Sequence, residues 1–243
     1  MVAALRLIVL LVLAALSLQL YFVGRIALMT RIDPESTAFQ RSELWQAAQA
    51  PGALKWRQHW TSYKQLPDSL KRAVIASEDA SFVEHEGVDV EALEKAWDRN
   101  AKAEARAAQG GNRIQAAGRP AKVVGGSTIT QQLAKNLFLS GERTLLRKAQ
   151  ELVLTLMLEA LLDKQRILEI YLNSVEWGSG VFGAEAAAQR YYRKPAANLS
   201  AYEAARLAVM LPRPRYFETR PVSAYLAARA STIATRMPAV ALP

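Results

Sequence analysis

The sequence predicts a mainly α protein, one membrane-spanning helix followed by a single helical domain, and three observations predict it. Leu7 to Gly24 contains no charged residue. Most of the remaining chain repeats apolar residues at three- and four-residue spacing, with helix-start signatures ahead of several of the repeats. No convincing run of strands and no internal repeat breaks that pattern. The length of 243 residues leaves, after the terminal segment, room for about one domain of ordinary size.

Charge and cysteine content narrow the function. Lys+Arg is 31 against Asp+Glu 22, a formal net charge of +9, which calls for an anionic partner: nucleic acid, phospholipid or a phosphorylated substrate. Cys is 0, which excludes disulfides, thiolate chemistry and sulfur-ligated zinc. His59 and His85 alone are too few for a multi-histidine metal site.

Taken in order, the apolar run is extended by Ile26-Ala27-Leu28-Met29 to the roughly 20 residues that a hydrocarbon core needs. Tyr21 and Phe22 suit the far interface. Residues 1–29 are expected to form a transmembrane anchor; a cleaved signal peptide is the competing reading, against which stand the length of the run and the lack of a clean A-x-A site. Arg6 and the N-terminus oppose Arg25 and Arg31, so charge counting leaves the orientation open. Residues 30–66, with Trp45, Trp56, Trp60 and Tyr63 among polar neighbours, read as a juxtamembrane segment leading into a domain over 67–237, with 238–243 as a tail.

Pro67-Asp68 opens a helix with Leu70, Ala73, Val74 and Ser77 on one side, and it delivers Glu78 and Asp79 to its C-terminal end. A second helix runs from Val90 to about Ala108. Residues 109–122 lack apolar periodicity and have the composition of a mobile loop, a candidate lid. The stretch Gly125-Gly126-Ser127-Thr128-Ile129-Thr130-Gln131-Gln132-Leu133-Ala134-Lys135-Asn136 then runs a glycine pair into a helix start. Thr128 with Gln131 fits a capping box, and a helix end of this kind attracts anions. Thr128, Gln131, Gln132 and Lys135 share one face, opposite Ile129, Leu133 and Leu137. The polar face is either a phosphate-reading surface or the solvated side of an amphipathic helix.

Thr144 to Asp163 is apolar nearly all round and is expected to be buried. Arg147, Lys148, Glu151 and Thr155 form a narrow polar stripe on it. An intrahelical ion pair accounts for the stripe simply. A buried helix nevertheless has little reason to carry charge unless it faces a cleft. Asp163 caps a helix from Lys164 to Asn173, the glycine-rich Trp177 to Gly183 interrupts, and Ala184 to Tyr192 is again helical. Ser200 with Glu203 makes a second capping box for a helix to about Leu211, ended by Pro212 and Pro214. A weakly specified last helix covers roughly Val222 to Met237.

Two acidic sites stand out, Glu78-Asp79-x-x-Phe82-x-x-His85-x-Gly87 and the Glu151 stripe. Two carboxylates flanking a sugar is the arrangement that makes or breaks glycosidic bonds. A base at Glu78 profits from a raised pKa, to which the C-terminal end of its helix contributes. Taken singly, each carboxylate reads equally as a surface or paired group, and His85 as a satisfied structural histidine.

Four motifs in this order resemble those of the peptidoglycan glycosyltransferases of family 51. They are Glu78-Asp79-x-x-Phe82-x-x-His85; Gly126-Ser127-Thr128-Ile129-Thr130-Gln131-Gln132-x-x-Lys135-Asn136; Arg147-Lys148-x-x-Glu151; and Arg166-Ile167-Leu168-Glu169-x-Tyr171-Leu172-Asn173. The resemblance covers roughly Leu66 to Pro214. The length, the single membrane run and the lack of a following transpeptidase domain are similar to the monofunctional biosynthetic members rather than the class A penicillin-binding proteins.

The resemblance implies a lysozyme-like fold lying against the membrane, and polymerisation of lipid II with inversion at the donor anomeric carbon and release of undecaprenyl diphosphate. It implies Glu78 as general base and Glu151 as second essential glutamate near the donor pyrophosphate. Asp79, Phe82, His85, Ser127, Thr128, Gln131, Gln132, Lys135, Asn136, Arg143, Arg147 and Lys148 are then expected to bind substrate, with Lys135 and Arg143 holding the departing pyrophosphate. A divalent metal, Mg2+ or Mn2+, assists many members, though no all-protein cage is visible in the sequence and no organic cofactor is expected. The expected partners are lipid II, the lipid-linked glycan chain, the membrane and other cell-wall synthesis or division proteins, not nucleic acid; the expected location is the inner membrane with the domain periplasmic. The rival readings are a lytic enzyme on the same scaffold, which has no need of a cationic pyrophosphate site, and a non-enzymatic basic membrane protein, which leaves the ordered glutamates unexplained.

Overall fold

The computed structural model describes residues 2–49, 51, 55–109, 126–139, 141–142 and 144–243. In chain order the helices are α1 (Val2–Leu28), α2 (Ala38–Gln49), α3 (Asp68–Glu78), α4 (Val90–Gln109), α5 (Ile129–Phe138), α6 (Leu145–Leu161), α7 (Lys164–Ser174), α8 (Ala184–Tyr192), α9 (Ala201–Met210), α10 (Pro214–Glu218) and α11 (Ala224–Arg236). Three strands, β1 (Arg57–Gln58), β2 (Glu176–Gly178) and β3 (Val181–Phe182), pair in the order β1–β3–β2. The expectation of no strands is therefore corrected. At two or three residues each, these strands are too short for alternation to register.

Local sequence accounts for most helix ends. Thr128 accepts from the Gln131 N–H while the Gln131 side chain accepts from the Thr128 N–H, and Ser200 and Glu203 do the same for α9. Asp163 caps α7 and Thr144 caps α6, each by accepting a backbone N–H three residues on. Each cap is worth about 1 kcal/mol. Between β2 and β3, Gly180 has φ +70°, and a Cβ there would lie 1.9 Å from the Lys55 carbonyl oxygen. That close approach lets the Arg57 N–H reach the Gly180 carbonyl at 2.8 Å and ties the segment before α3 into the sheet.

The core is built around α7, which buries Ile167, Leu168, Ile170, Tyr171 and Leu172 on all sides. On one flank α3 packs its Leu70, Ala73 and Val74 against α9, whose Ala204, Ala205 and Ala208 let the two axes approach closely, and α11 closes that layer with Leu226, Ala230 and Ile233. On the other flank α5 buries Ile129, Leu133 and Leu137 between α6 and α7. The 30–66 segment is not a simple lead-in: α2 packs on α5, and β1 joins the sheet.

Helix α6 departs from its expected burial. Glu151, Leu154, Thr155 and Leu158 face inward, whereas Leu145 (92 % exposed), Leu146 (81 %), Leu152, Val153 and Leu156 form an open apolar face. The polar stripe and the apolar surround have thus exchanged the sides that a water-soluble helix would give them. Burial in protein and burial in lipid select the same composition, which is why periodicity alone reads the helix as core.

The open face continues onto α1. That helix has 27 residues, roughly 40 Å at about 1.5 Å per residue, enough to cross a membrane by length and composition, and its only buried side chains are Phe22 and Ile26 near its end. Phe22 meets Phe138 edge-on with centroids 5.3 Å apart. Deeper along α1, Gln19 and Gln150 of α6 exchange amide hydrogen bonds of 3.1 and 3.2 Å. Arg166 then holds the exit of the helix, donating to the Met29 carbonyl at 2.7 Å, to the Ile32 carbonyl at 3.2 Å and to Asp33 at 2.7 Å, with Glu169 at 2.8 Å as its counter-ion.

Candidate active site

A cleft of about 510 Å³ opens between α2, α5 and α6. The polar face of α5 supplies Gln131, Gln132, Lys135 and Asn136, with Ser127 ahead of the helix; α6 supplies Arg147, Lys148 and Glu151. The structure thus brings together these eight residues singled out in the sequence. Arg143 and the expected lid loop beyond Gln109 lie outside the described residues.

Glu78 closes helix α3 and lies half-buried behind this lining, joined to it through Gln132, whose amide N–H donates to Glu78 Oε2 at 3.1 Å. Loss of hydration raises its pKa above the ordinary carboxylate value; hydrogen bonds from Gln132 and Ser77 oppose the rise, the Asp79 charge adds to it and Arg229 of α11 opposes it. A glutamate so placed is a stronger base than a solvated one, as proton abstraction from a hydroxyl requires.

Asp79, Phe82, His85 and Thr128 sit off the cleft lining and build its support. Asp79, 7 % exposed, accepts the Ile129 N–H at 2.9 Å and contacts His85 Nε2 at 2.8 Å. His85 Nδ1 accepts the Gly87 N–H at 3.1 Å, so the ring proton belongs on Nε2, facing Asp79. Thr128 Oγ1 donates to the Gly87 carbonyl at 2.7 Å, and Phe82 is fully buried beneath His85. The anion expected at the start of α5 is therefore internal. The Asp79 carboxylate takes the Ile129 N–H, which has no partner within the helix, and satisfies the positive end of the dipole, which leaves the cleft-facing side of the helix, not its tip, to meet a ligand.

Glu151 is 3 % exposed and pairs with two cations of its own helix, Arg147 at 2.9 Å and Lys148. Arg147 Nε is buried with no hydrogen-bond partner among the described residues. A guanidinium that pairs with one carboxylate and lines an open cleft is placed to meet an anion. Asp79, His85 and Asp89 bring one ligand atom each within 4.8 Å of one another. Protein donors already engage all three: Asp89 takes Ser81 and the Ala92 N–H, which also hold its pKa low. Both Glu151 oxygens are likewise committed, to Arg147 and Lys148.

Sequence reasoning missed the wall that α2 supplies. Phe39, Ser42, Glu43 and Gln46 of α2 line the cleft, and Arg215 ahead of it binds both Glu43 and, at 2.8 Å, Glu176. Burial raises the pKa of Glu176, an effect that Arg215 counters. The signal was the spacing of those four α2 residues at i, i+3, i+4 and i+7, obscured because the face is polar.

Comparison with known proteins places these features in context. A family model described as Transglycosylase matches residues 47–238. Proteins named biosynthetic peptidoglycan transglycosylase are similar along nearly the whole chain. That of Burkholderia thailandensis is 55 % identical over 230 residues, 95 % of this chain and 84 % of its own length. That of Burkholderia pseudomallei is 54 % identical with the same coverage, and that of Paraburkholderia phytofirmans 51 % identical over 95 % of this chain and 89 % of its own.

Proposed function

The chain belongs to the transglycosylase family and is a peptidoglycan glycosyltransferase of cell-wall synthesis, and from that premise we propose how its cleft joins sugars. The observation that carries the reading is a half-buried, proton-avid Glu78 linked through one amide to a cleft whose facing wall is a cation pair on Glu151. The acceptor is lipid II, and the donor is the glycan chain on its polyprenyl pyrophosphate.

Glu78 takes the proton from the acceptor 4-hydroxyl as that oxygen bonds to the donor anomeric carbon. The bond from that carbon to the pyrophosphate oxygen breaks on the opposite side, and its electron pair leaves with the pyrophosphate. One displacement inverts the centre and gives a β-1,4 link. Arg147, Lys148 and Lys135 of the cleft lining meet the charge that develops on the leaving group, and Arg143 joins them by family likeness. Glu151 holds the first two of these cations in place. A divalent ion, Mg2+ or Mn2+, belongs in this reading with the pyrophosphate, and no step depends on it.

The same reading sets α1 across the cytoplasmic membrane and the open face of α6 in the adjoining lipid, with the domain on the periplasmic side and cell-wall synthesis or division proteins as its neighbours. A reporter fused after Pro243 that is active only outside the cytoplasm is the expected result.

Labelled lipid II incubated with the purified protein tests the chemistry. Polymer, not cleaved product, is expected, and Glu78→Gln should reduce chain formation by about 10²–10⁴ while substrate still binds. Cleavage of preformed strands would move the assignment to a lytic enzyme. Near wild-type elongation by a folded Glu78→Gln protein would remove the residue from the mechanism.

A further inference from the structure

Gln131 and Gln132 are neighbours in sequence with separate duties. Gln131 spends its side chain on the capping box of α5. Gln132 spans two buried groups from other helices: its Nε2 donates to Glu78 Oε2 at 3.1 Å, and its Oε1 accepts the Tyr171 hydroxyl at 3.0 Å. Tyr171 is wholly buried in α7, and among the described residues Gln132 Oε1 is the acceptor for its proton.

We infer that Tyr171 is a positioning residue for Glu78: its hydroxyl holds the Gln132 amide in the one orientation that turns N–H, rather than C=O, toward the carboxylate. The argument is one of satisfied donors. Were the amide reversed, its N–H would face the tyrosine oxygen, the tyrosine proton would be stranded in an apolar interior, and a carbonyl would oppose the glutamate. A stranded buried donor carries its full desolvation penalty, which keeps the amide one way round.

The other donor to Glu78 is weaker. Ser77 Oγ lies 3.3 Å from Glu78 Oε1 and 3.5 Å from the Ala208 carbonyl of α9, and its single proton is shared between them. Gln132 is therefore the main fixed donor. Tyr171 keeps its proton throughout the working range, because burial and the nearby Glu78 and Asp79 push its pKa well up. The charged groups facing Glu78 are Asp79 at its own helix end and Arg229 from α11; Lys135 of α5 lies a turn beyond Gln132, in the cleft.

The inference rests on Glu78 being the base, and the test separates the two. Tyr171→Phe removes only the hydroxyl. With labelled lipid II, its kcat is expected to fall about ten-fold at the acid end of the profile with KM little changed, the loss shrinking as pH rises, because a carboxylate that has lost its donor holds its proton to higher pH. Gln132→Leu should show the same displaced limb, and adding Tyr171→Phe to it should change nothing more. A loss equal at every pH, or an additive double variant, would overturn the inference. Carbon-13 titration of the Glu78 carboxyl in micelles, assigned by its disappearance in Glu78→Gln, gives a readout free of activity. An upward-moved midpoint in Tyr171→Phe supports the link even if the wild type makes no polymer, and an unmoved midpoint refutes it even if polymer forms.

Discussion

At the scale of single residues, Glu78 links stability and activity through opposite demands. Folding raises its pKa above the value of 4.5 for a free glutamate. The folded state thus favours the neutral acid; that contribution is full below the unfolded pKa and disappears as pH rises through the folded one. Catalysis needs the anion, the form that folding disfavours. Glu78→Gln should accordingly melt higher than the wild type at neutral pH, by about 2–4 °C for each kcal/mol relieved, and the gap should close toward pH 4. A gap that does not change with pH would show that the charge is not the cause. Lys135→Ala is expected to behave in the opposite sense, with kcat down roughly 10–100-fold and a melting temperature within about 1 °C of the wild type, since an exposed lysine contributes little to packing. Normal turnover by that variant would return the α5 face to a solvated surface. How much of the site was legible follows the sequence separation of its contacts. The capping boxes at Thr128 and Ser200 join residues three apart and can be read from the letters alone. The links from Gln132 to Glu78 and Tyr171 span 54 and 39 residues and exist only once α3, α5 and α7 are packed. Asp79 shows the limit from the other side: its role at the start of α5 supplies, from within, the anion that the helix end was expected to draw from a ligand.

At the scale of elements, α6 turns Glu151 and Thr155 inward and leaves an apolar face open on its other side. The helix boundaries and the polar stripe were readable, because both are periodic. Which side of the helix met protein was not, since leucine satisfies either environment. The Gln19–Gln150 pair fixes the register of α1 against this helix. Replacing one partner by leucine strands the other amide, whereas replacing both leaves two apolar surfaces in contact. Thermal unfolding in detergent of Gln19→Leu, Gln150→Leu and the double variant should show singles destabilised by about 0.5–1 kcal/mol and a double that recovers most of the loss. Strict additivity would mean that the two amides do not meet in the folded protein. The small sheet escaped the sequence for a related reason: β1 and β3 owe their pairing to the Lys55–Gly180 crossing, a contact between distant residues that no local pattern announces.

At the scale of the whole molecule, Phe22, Ile26 and Met29 belong to the same apolar core as α7 and α9, and Arg166 grips the backbone just beyond them. A chain shortened to begin after residue 33 should therefore lose more than its anchor. It uncovers Phe138, takes three acceptors from a half-buried guanidinium, and should unfold at lower temperature and self-associate even in detergent that keeps the full chain monomeric, as sedimentation can check. A shortened chain with unchanged melting and sedimentation would make the contact incidental. That grip also has a mechanical meaning. A catalytic head on a slack leash could swing outward and follow the end of its product, but one bolted to its mast has lost the freedom to pivot. On the membrane reading proposed above, the cleft would work as a fixed die at one height over the lipid, and the finished strand, not the enzyme, would have to travel.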